Sequence, residues 1–208
     1  MFYLDEEEPE PETEEKRGVR PRFLEDRIDE AILSSRRLFI CDAIDSGSAK
    51  EMIRKLWYLE LKNPGKGILL VISSPGGSID AGFAIWDQVK MISSPVTTLV
   101  TGLAASMASV LTLVAPKGRR FATPNARFMI HQPAINGLVR GQATDLDIQA
   151  KEMLKMRGAL IDLYAKETGN DPQTIAKAID RDTWMTAEEA KKFKHIDKII
   201  TSFKEVGV

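Results

Sequence analysis

The sequence predicts an α/β fold in a single domain. Short apolar runs suited to strands alternate with helix-period segments along most of the chain. One of those runs, Gly67-Ile68-Leu69-Leu70-Val71-Ile72, is apolar at every position after its glycine, as a strand buried on both faces requires. The length of 208 residues is one domain's worth of chain and enough to bury a sizeable core.

Along the chain, the first 15 residues hold eight acidic groups, Pro9 and Pro11, and no Lys or Arg. Residues 1–16 are therefore read as a disordered acidic tail, and 17–208 as the folded domain. Arg37-Leu38-Phe39-Ile40 reads as a strand. Ser48-Ala49-Lys50-Glu51 has the form of a capping box opening a helix to Leu61, which Asn63-Pro64-Gly65 ends. After the strand at 67–72, residues 78–92 carry Ile79, Phe83 and Trp86 at helical spacing. Residues 96–100 form a strand, 106–114 a helix, and 128–130 a strand. A long amphipathic helix runs from Ala143 to Thr168 and stops at Gly169-Asn170. Asp171-Pro172 caps a short helix with Pro at its first position, and Thr186-Ala187-Glu188-Glu189 is a second capping box.

Composition narrows the function. With 43% apolar and 28% charged residues the chain has ordinary globular proportions. Beyond the tail, 22 acids face 29 bases, but these are mixed along helices with no aromatic-interleaved basic stripe. That excludes nucleic acid as the expected partner. Residues 91–116 contain no charge and could span a bilayer by length. Pro95, Gly102 and interspersed hydroxyls divide them instead into a buried strand, turn and helix, so no membrane association is expected. The single cysteine, Cys41, excludes an internal disulfide and a multi-cysteine metal site; after Leu38-Phe39-Ile40 it is expected to be a buried structural thiol. No metal or organic cofactor is expected. The acidic N-terminus has the wrong charge for a targeting peptide, and the expectation is a cytoplasmic protein.

The chemistry concentrates in Gly102-Leu103-Ala104-Ala105-Ser106-Met107-Ala108-Ser109 and in Met129-Ile130-His131-Gln132-Pro133. A hydroxyl that attacks an amide needs a neutral imidazole to take its proton and backbone N–H groups to hold the developing oxyanion. Ser106 lies among small residues where a helix begins, which leaves room for a carbonyl and supplies unpaired N–H donors. The chain has two histidines. His195 ends Lys191-Lys192-Phe193-Lys194, a cationic helix end that suits an exposed residue, so His131 is the expected base. A third group must orient the imidazole, and Asp180 and Asp182 are the candidates. The glycine pair of Ser74-Pro75-Gly76-Gly77 sits between strand and helix, where glycine permits positive φ or close backbone approach. It is not a dinucleotide fingerprint, because the third glycine and the ribose-binding acid are missing.

Four blocks in order, Ile72 to Ser78, Gly102 to Ser109, Met129 to Pro133 and Gly141-Gln142-Ala143-Thr144-Asp145, resemble the motif series of the Clp (caseinolytic) protease proteolytic subunits. The resemblance covers about 36–200. It implies a crotonase-type ββα spiral with a protruding helical handle at about 132–168. It implies a serine endopeptidase with Ser106 as nucleophile, His131 as base and Asp182 as the third member, since Thr183-Trp184-Met185-Thr186-Ala187 matches the residues after the family's acid. By the same resemblance the N–H groups of Gly77 and Met107 form the oxyanion hole, and Arg181 is similar to an arginine used in contacts between rings. The implied partners are an AAA+ unfoldase ATPase, unfolded polypeptide substrates and further copies of the chain in stacked heptameric rings.

Two departures stand out. Residues 134–140 are about two longer than the usual family stretch and poorer in glycine, and the family's apolar N-terminal segment is replaced by the acidic tail and residues 16–24. They leave room for a second reading, a weakly active or non-catalytic structural paralogue in mixed rings with a sister subunit. An acyl-CoA enzyme of the crotonase type is a third, one that would not need the Ser-His-Asp set.

Overall fold

The computed structural model describes residues 23–134 and 140–207. The acidic tail and the longer 134–140 stretch, apart from Ala134 and Arg140, lie outside the described residues. Helix α1 (Phe23–Ser34) leads into β1 (Arg37–Ile40), α2 (Ser46–Lys62), β2 (Ile68–Ser74), α3 (Ile79–Met91), β3 (Val96–Ala105) and α4 (Met107–Thr112). Then come β4 (Arg120–Ala122), β5 (Arg127–Ile130), α5 (Ala143–Thr168), α6 (Pro172–Ala178), β6 (Thr183–Thr186), α7 (Ala187–Lys192) and β7 (Lys198–Ile199).

The strands form one sheet in the order β1-β2-β3-β4-β7, parallel throughout, as an α/β chain with helical crossovers should. Strand β3 is long enough to serve two partners on one side. Thr98–Val100 pair with Arg120–Ala122 of β4, and Leu103–Ala105 pair with Arg127–Met129 of β5. Strand β5 then takes β6 antiparallel. The sheet thus turns away from its own edge, which gives the spiral form implied by the resemblance.

Alternation along the parallel strands separates two apolar faces. Ile68, Leu70 and Ile72 join the main core with Leu56 and Leu59 of α2, Ile85 and Trp86 of α3, Val110 and Leu111 of α4, and Leu160 and Tyr164 of α5. Leu69, Val71, Leu99 and Phe121 form a smaller cluster on the other face with Ile200 and Val206. Each fully buried aliphatic side chain of this kind contributes about 1.5–3 kcal/mol. The first half of α5 is largely exposed, with Ile148 and Leu154 facing solvent.

Several expectations need correction. The capping box of α2 begins at Asp45, not Ser48: the Asp45 carboxylate accepts from the Ser48 N–H at 2.8 Å, and Ser48 Oγ accepts from the Asp45 N–H at 2.9 Å. Strand β3 does not end at Val100 but bulges through Gly102, so that Ser74 pairs with Ala104. The helix after Ser106 is shorter than read, ending at Thr112. Cys41 is exposed, not buried, because it continues the outward phase of β1, in which Leu38 and Ile40 point inward and Phe39 outward. Among the described residues no helix is long and apolar enough to cross a membrane.

Candidate active site

Strand register brings the predicted site residues together. Ala105 pairs with Met129 and Ile130 with Thr183. Ser106, one residue past the end of β3, therefore arrives beside the end of β5, and its N–H donates to the Met129 carbonyl at 2.9 Å. His131 is one residue past β5, and Asp182 one residue before the antiparallel β6, so these two lie side by side.

The side chains meet as well. His131 Nε2 is 2.8 Å from Ser106 Oγ, and His131 Nδ1 is 3.3 Å from Asp182 Oδ1. A neutral imidazole that accepts the serine proton at Nε2 carries its own proton on Nδ1, toward the carboxylate. Asp182 is 61% exposed and its contact is the longer of the two. Orienting contacts in free enzymes are often long and tighten with substrate bound. Asp180 points elsewhere, with its carboxylate 3.8 Å from the exposed Arg181 guanidinium.

Ser106 is held at φ 53° and ψ −124°, a conformation costly for a residue with a Cβ. Its side chain makes no capping bond to α4, so the hydroxyl is not tied down by the helix it precedes. Gly76 packs against this turn, and Gly77 against the backbone of Ile44. At Gly76 (φ +89°) a Cβ would lie 2.5 Å from the Ala105 carbonyl oxygen, and at Gly77 (φ +153°) one would lie 2.2 Å from the Ile44 carbonyl oxygen. Only glycine can let the two backbones approach this closely. The loop is fixed from behind, since Ile44 N–H donates to Gly76 O, Ser78 N–H donates to Ile44 O, and the buried Ser74 hydroxyl donates to Asp42 O.

A cleft of about 270 Å³ opens at the Ser106–His131 pair. Gly77 and Met107 line it together with Ile79, Val110, Leu160 and Tyr164, which give it a largely apolar wall. A larger cavity of about 760 Å³ lies on the other face of the sheet, against Phe39, Val71 and Leu99, and contains no imidazole. The described residues hold no group of three His, Cys, Asp or Glu side chains arranged for a metal.

Sequence reasoning missed the ties that hold the site. The Gln132 N–H donates to Ile179 O at 2.6 Å and its side-chain amide to Asp180 O at 2.8 Å, binding the His131 strand end to the loop that carries Asp182. Arg157 of α5 donates to Gln132 Oε1 at 3.0 Å. No periodic pattern marks such long-range polar contacts.

His195 overturns its expectation: it is fully buried. Lys194, at φ 62°, takes the left-handed turn that ends α7 and sends the next side chain inward. His195 Nε2 lies 2.9 Å from the Ser109 carbonyl, and among the described residues Nδ1 has no partner. Burial, with a smaller contribution from the Arg120 charge, lowers its pKa to about 4. The unfolded chain binds the proton near pH 6.5, so between about pH 6.5 and 4 it takes up a proton that the folded chain refuses. Stability should therefore fall across that window by about 3 kcal/mol and level off below it. Urea unfolding midpoints measured against pH should show this slope in the wild type and a flatter one in His195→Gln. Equal slopes would assign acid lability elsewhere.

A hydroxyl, an imidazole and a carboxylate in line beside an apolar cleft are the equipment of a hydrolase working through an acyl-enzyme. The family model for Clp protease matches residues 24–203, and the chain belongs to the Clp protease family, a family of serine peptidases. It is 64% identical to the ATP-dependent Clp protease proteolytic subunit 1 of Protochlamydia amoebophila over 94% of this chain and 95% of that protein. It is 60% identical to the proteins of the same name from Chlamydia trachomatis and Chlamydia muridarum, over 91% of this chain and 98% of each relative.

Proposed function

We propose that the chain is a proteolytic subunit of an ATP-dependent Clp protease and cleaves peptide bonds with Ser106, His131 and Asp182. The observation that carries this reading is the 2.8 Å approach of His131 Nε2 to the hydroxyl of a serine held in strained backbone geometry. In the proposed reaction Ser106 Oγ attacks the scissile carbonyl as its proton passes to Nε2. The oxyanion accepts hydrogen bonds from the Gly77 and Met107 N–H groups. Collapse expels the amine, which takes the proton from the imidazolium, and leaves the acyl group on Ser106. Water, deprotonated by the same nitrogen, then releases the acid. Asp182 holds the Nδ1–H tautomer and stabilises the imidazolium.

We further propose that the chain works in stacked heptameric rings fed with unfolded polypeptide by an AAA+ unfoldase, as the resemblance implies. Dependence on such an ATPase goes with a cytoplasmic location, where ATP is supplied. An inactive structural paralogue would not need the serine–imidazole pair, so the catalytic reading is preferred.

Intact-mass kinetics with a fluorophosphonate test the reading. The adduct should form on Ser106, and His131→Ala and Asp182→Asn should slow it by about a hundredfold or more, while Asp180→Asn stays near wild type. No adduct on the assembled protein would favour the structural paralogue, and equal effects of the two aspartate variants would remove Asp182 from the triad.

A further inference from the structure

Three buried polar side chains outside the proposed triad converge beneath the turn that carries Ser106. Ser109 of α4, Tyr164 of α5 and His195 after α7 are each no more than 1% exposed. Ser109 Oγ lies 2.7 Å from the Ser106 carbonyl oxygen and 2.8 Å from the Tyr164 hydroxyl, and His195 Nε2 faces the Ser109 carbonyl.

Proton bookkeeping fixes the direction of this chain. A carbonyl oxygen only accepts, so the single Ser109 hydroxyl proton goes to Ser106 O. Ser109 Oγ must then accept from Tyr164, whose hydroxyl donates. His195 likewise carries its proton on Nε2 and donates to Ser109 O. Tyr164 and Ser109 thus pass hydrogen bonds in series to the Ser106 carbonyl, each polarising the next, while His195 donates separately to the backbone of α4 just after it.

The Ser106 carbonyl is one end of the peptide unit whose other end is the Met107 N–H. In a planar trans peptide the two point in opposite directions, so fixing the carbonyl also fixes where the N–H points. That carbonyl accepts from Ser109 N–H at 3.0 Å, Val110 N–H at 3.3 Å and Ser109 Oγ at 2.7 Å. The side-chain bond is the shortest of the three, and it acts on a residue whose own φ of 53° favours relaxation. Tyr164, which supplies the far end of the relay, also lines the substrate cleft.

We propose that Ser109 and Tyr164 are positioning residues, a hydroxyl relay that aims the Met107 N–H at the oxyanion, with His195 bracing the turn through the Ser109 carbonyl. The proposal rests on the triad reading above. Because the N–H would bind oxygen most strongly as its charge develops, loss of the relay should appear in kcat and leave KM nearly alone.

The test uses the assembled full-length protein and a fluorogenic peptide. Tyr164→Phe and Ser109→Ala should each lower kcat roughly three- to tenfold, the size of one ordinary hydrogen bond expressed in the transition state. KM should stay within about twofold. The affinity for a peptide boronic acid, whose tetrahedral adduct on Ser106 mimics the oxyanion, should weaken in step with kcat. The double variant should be little worse than Ser109→Ala, because both changes break one chain. A lower melting temperature with unchanged kcat, a raised KM with unchanged kcat, or additive losses would each overturn the relay. If Tyr164→Phe does not fold, Ser109→Ala decides alone. Ser106→Ala in the same assay separates the two readings: activity surviving in it sinks the triad, whereas its loss beside a fully active Tyr164→Phe sinks only the relay.

Discussion

Ser106→Ala is expected to lower peptide turnover by roughly four to six orders of magnitude and to leave the melting temperature and assembly near those of the wild type. The two halves of that expectation come from different observations. Activity is lost because the hydroxyl 2.8 Å from His131 Nε2 is the proposed nucleophile, and no other described hydroxyl stands within reach of that nitrogen. Stability is retained because the Ser106 side chain caps nothing: α4 takes no bond from it, and the turn is held by the Ser106 N–H and carbonyl. Alanine keeps the Cβ and therefore the same backbone cost at φ 53°. A fluorogenic peptide assay beside thermal unfolding checks both halves. Retention of more than a tenth of wild-type turnover would sink Ser106 as nucleophile.

Much of this architecture is written in local pattern. The apolar run at Ile68–Ile72, the long helix Ala143–Thr168 and the cap at Asp171-Pro172 depend on neighbours a few residues apart, and the structure bears each of them out. Register does the rest, because strands ending at Ala105 and Ile130 set Ser106 and His131 side by side. What local pattern missed depends on distant partners or on a single backbone angle. Lys194 at φ 62° turns His195 into the core, and nothing in Lys191-Lys192-Phe193-Lys194 signals that turn. Strand β4 has three residues, too few to show a period, and its Arg120 is buried because carbonyls of Leu113, Ala115 and Glu167 accept its guanidinium. Cys41 belongs with these: Leu38, Phe39 and Ile40 are all apolar, so the outward phase of Phe39 that carries Cys41 to the surface is set by how β1 packs and not by a visible alternation.

Gly76→Ala is expected to lower kcat by about a hundredfold or more, and Gly118→Ala provides a matched control. Both glycines have a positive φ, +89° and +88°, so an added Cβ carries a backbone cost at each, roughly 1–2 kcal/mol. Their surroundings differ. A Cβ at Gly118 meets nothing within 4 Å, whereas one at Gly76 lies 2.5 Å from Ala105 O, 2.8 Å from Ser106 Cβ and 2.9 Å from Met107 N. Two of those atoms are backbone and cannot swing aside. Gly76 cannot retreat either, because its carbonyl accepts from Ile44 N–H at 2.9 Å and its N–H donates to Ser74 Oγ at 3.1 Å. The turn bearing the proposed nucleophile and the Met107 N–H must move instead, and a displacement of about 1 Å at reacting groups is worth about a hundredfold in rate. Forcing the extra carbon into packed backbone should also cost stability beyond that of Gly118→Ala, by roughly 1–3 kcal/mol. Melting temperatures and kcat measured on both variants separate the clash from the shared backbone cost. Equal losses of activity in the two would show that the approach of Gly76 to the Ser106 turn has no part in catalysis.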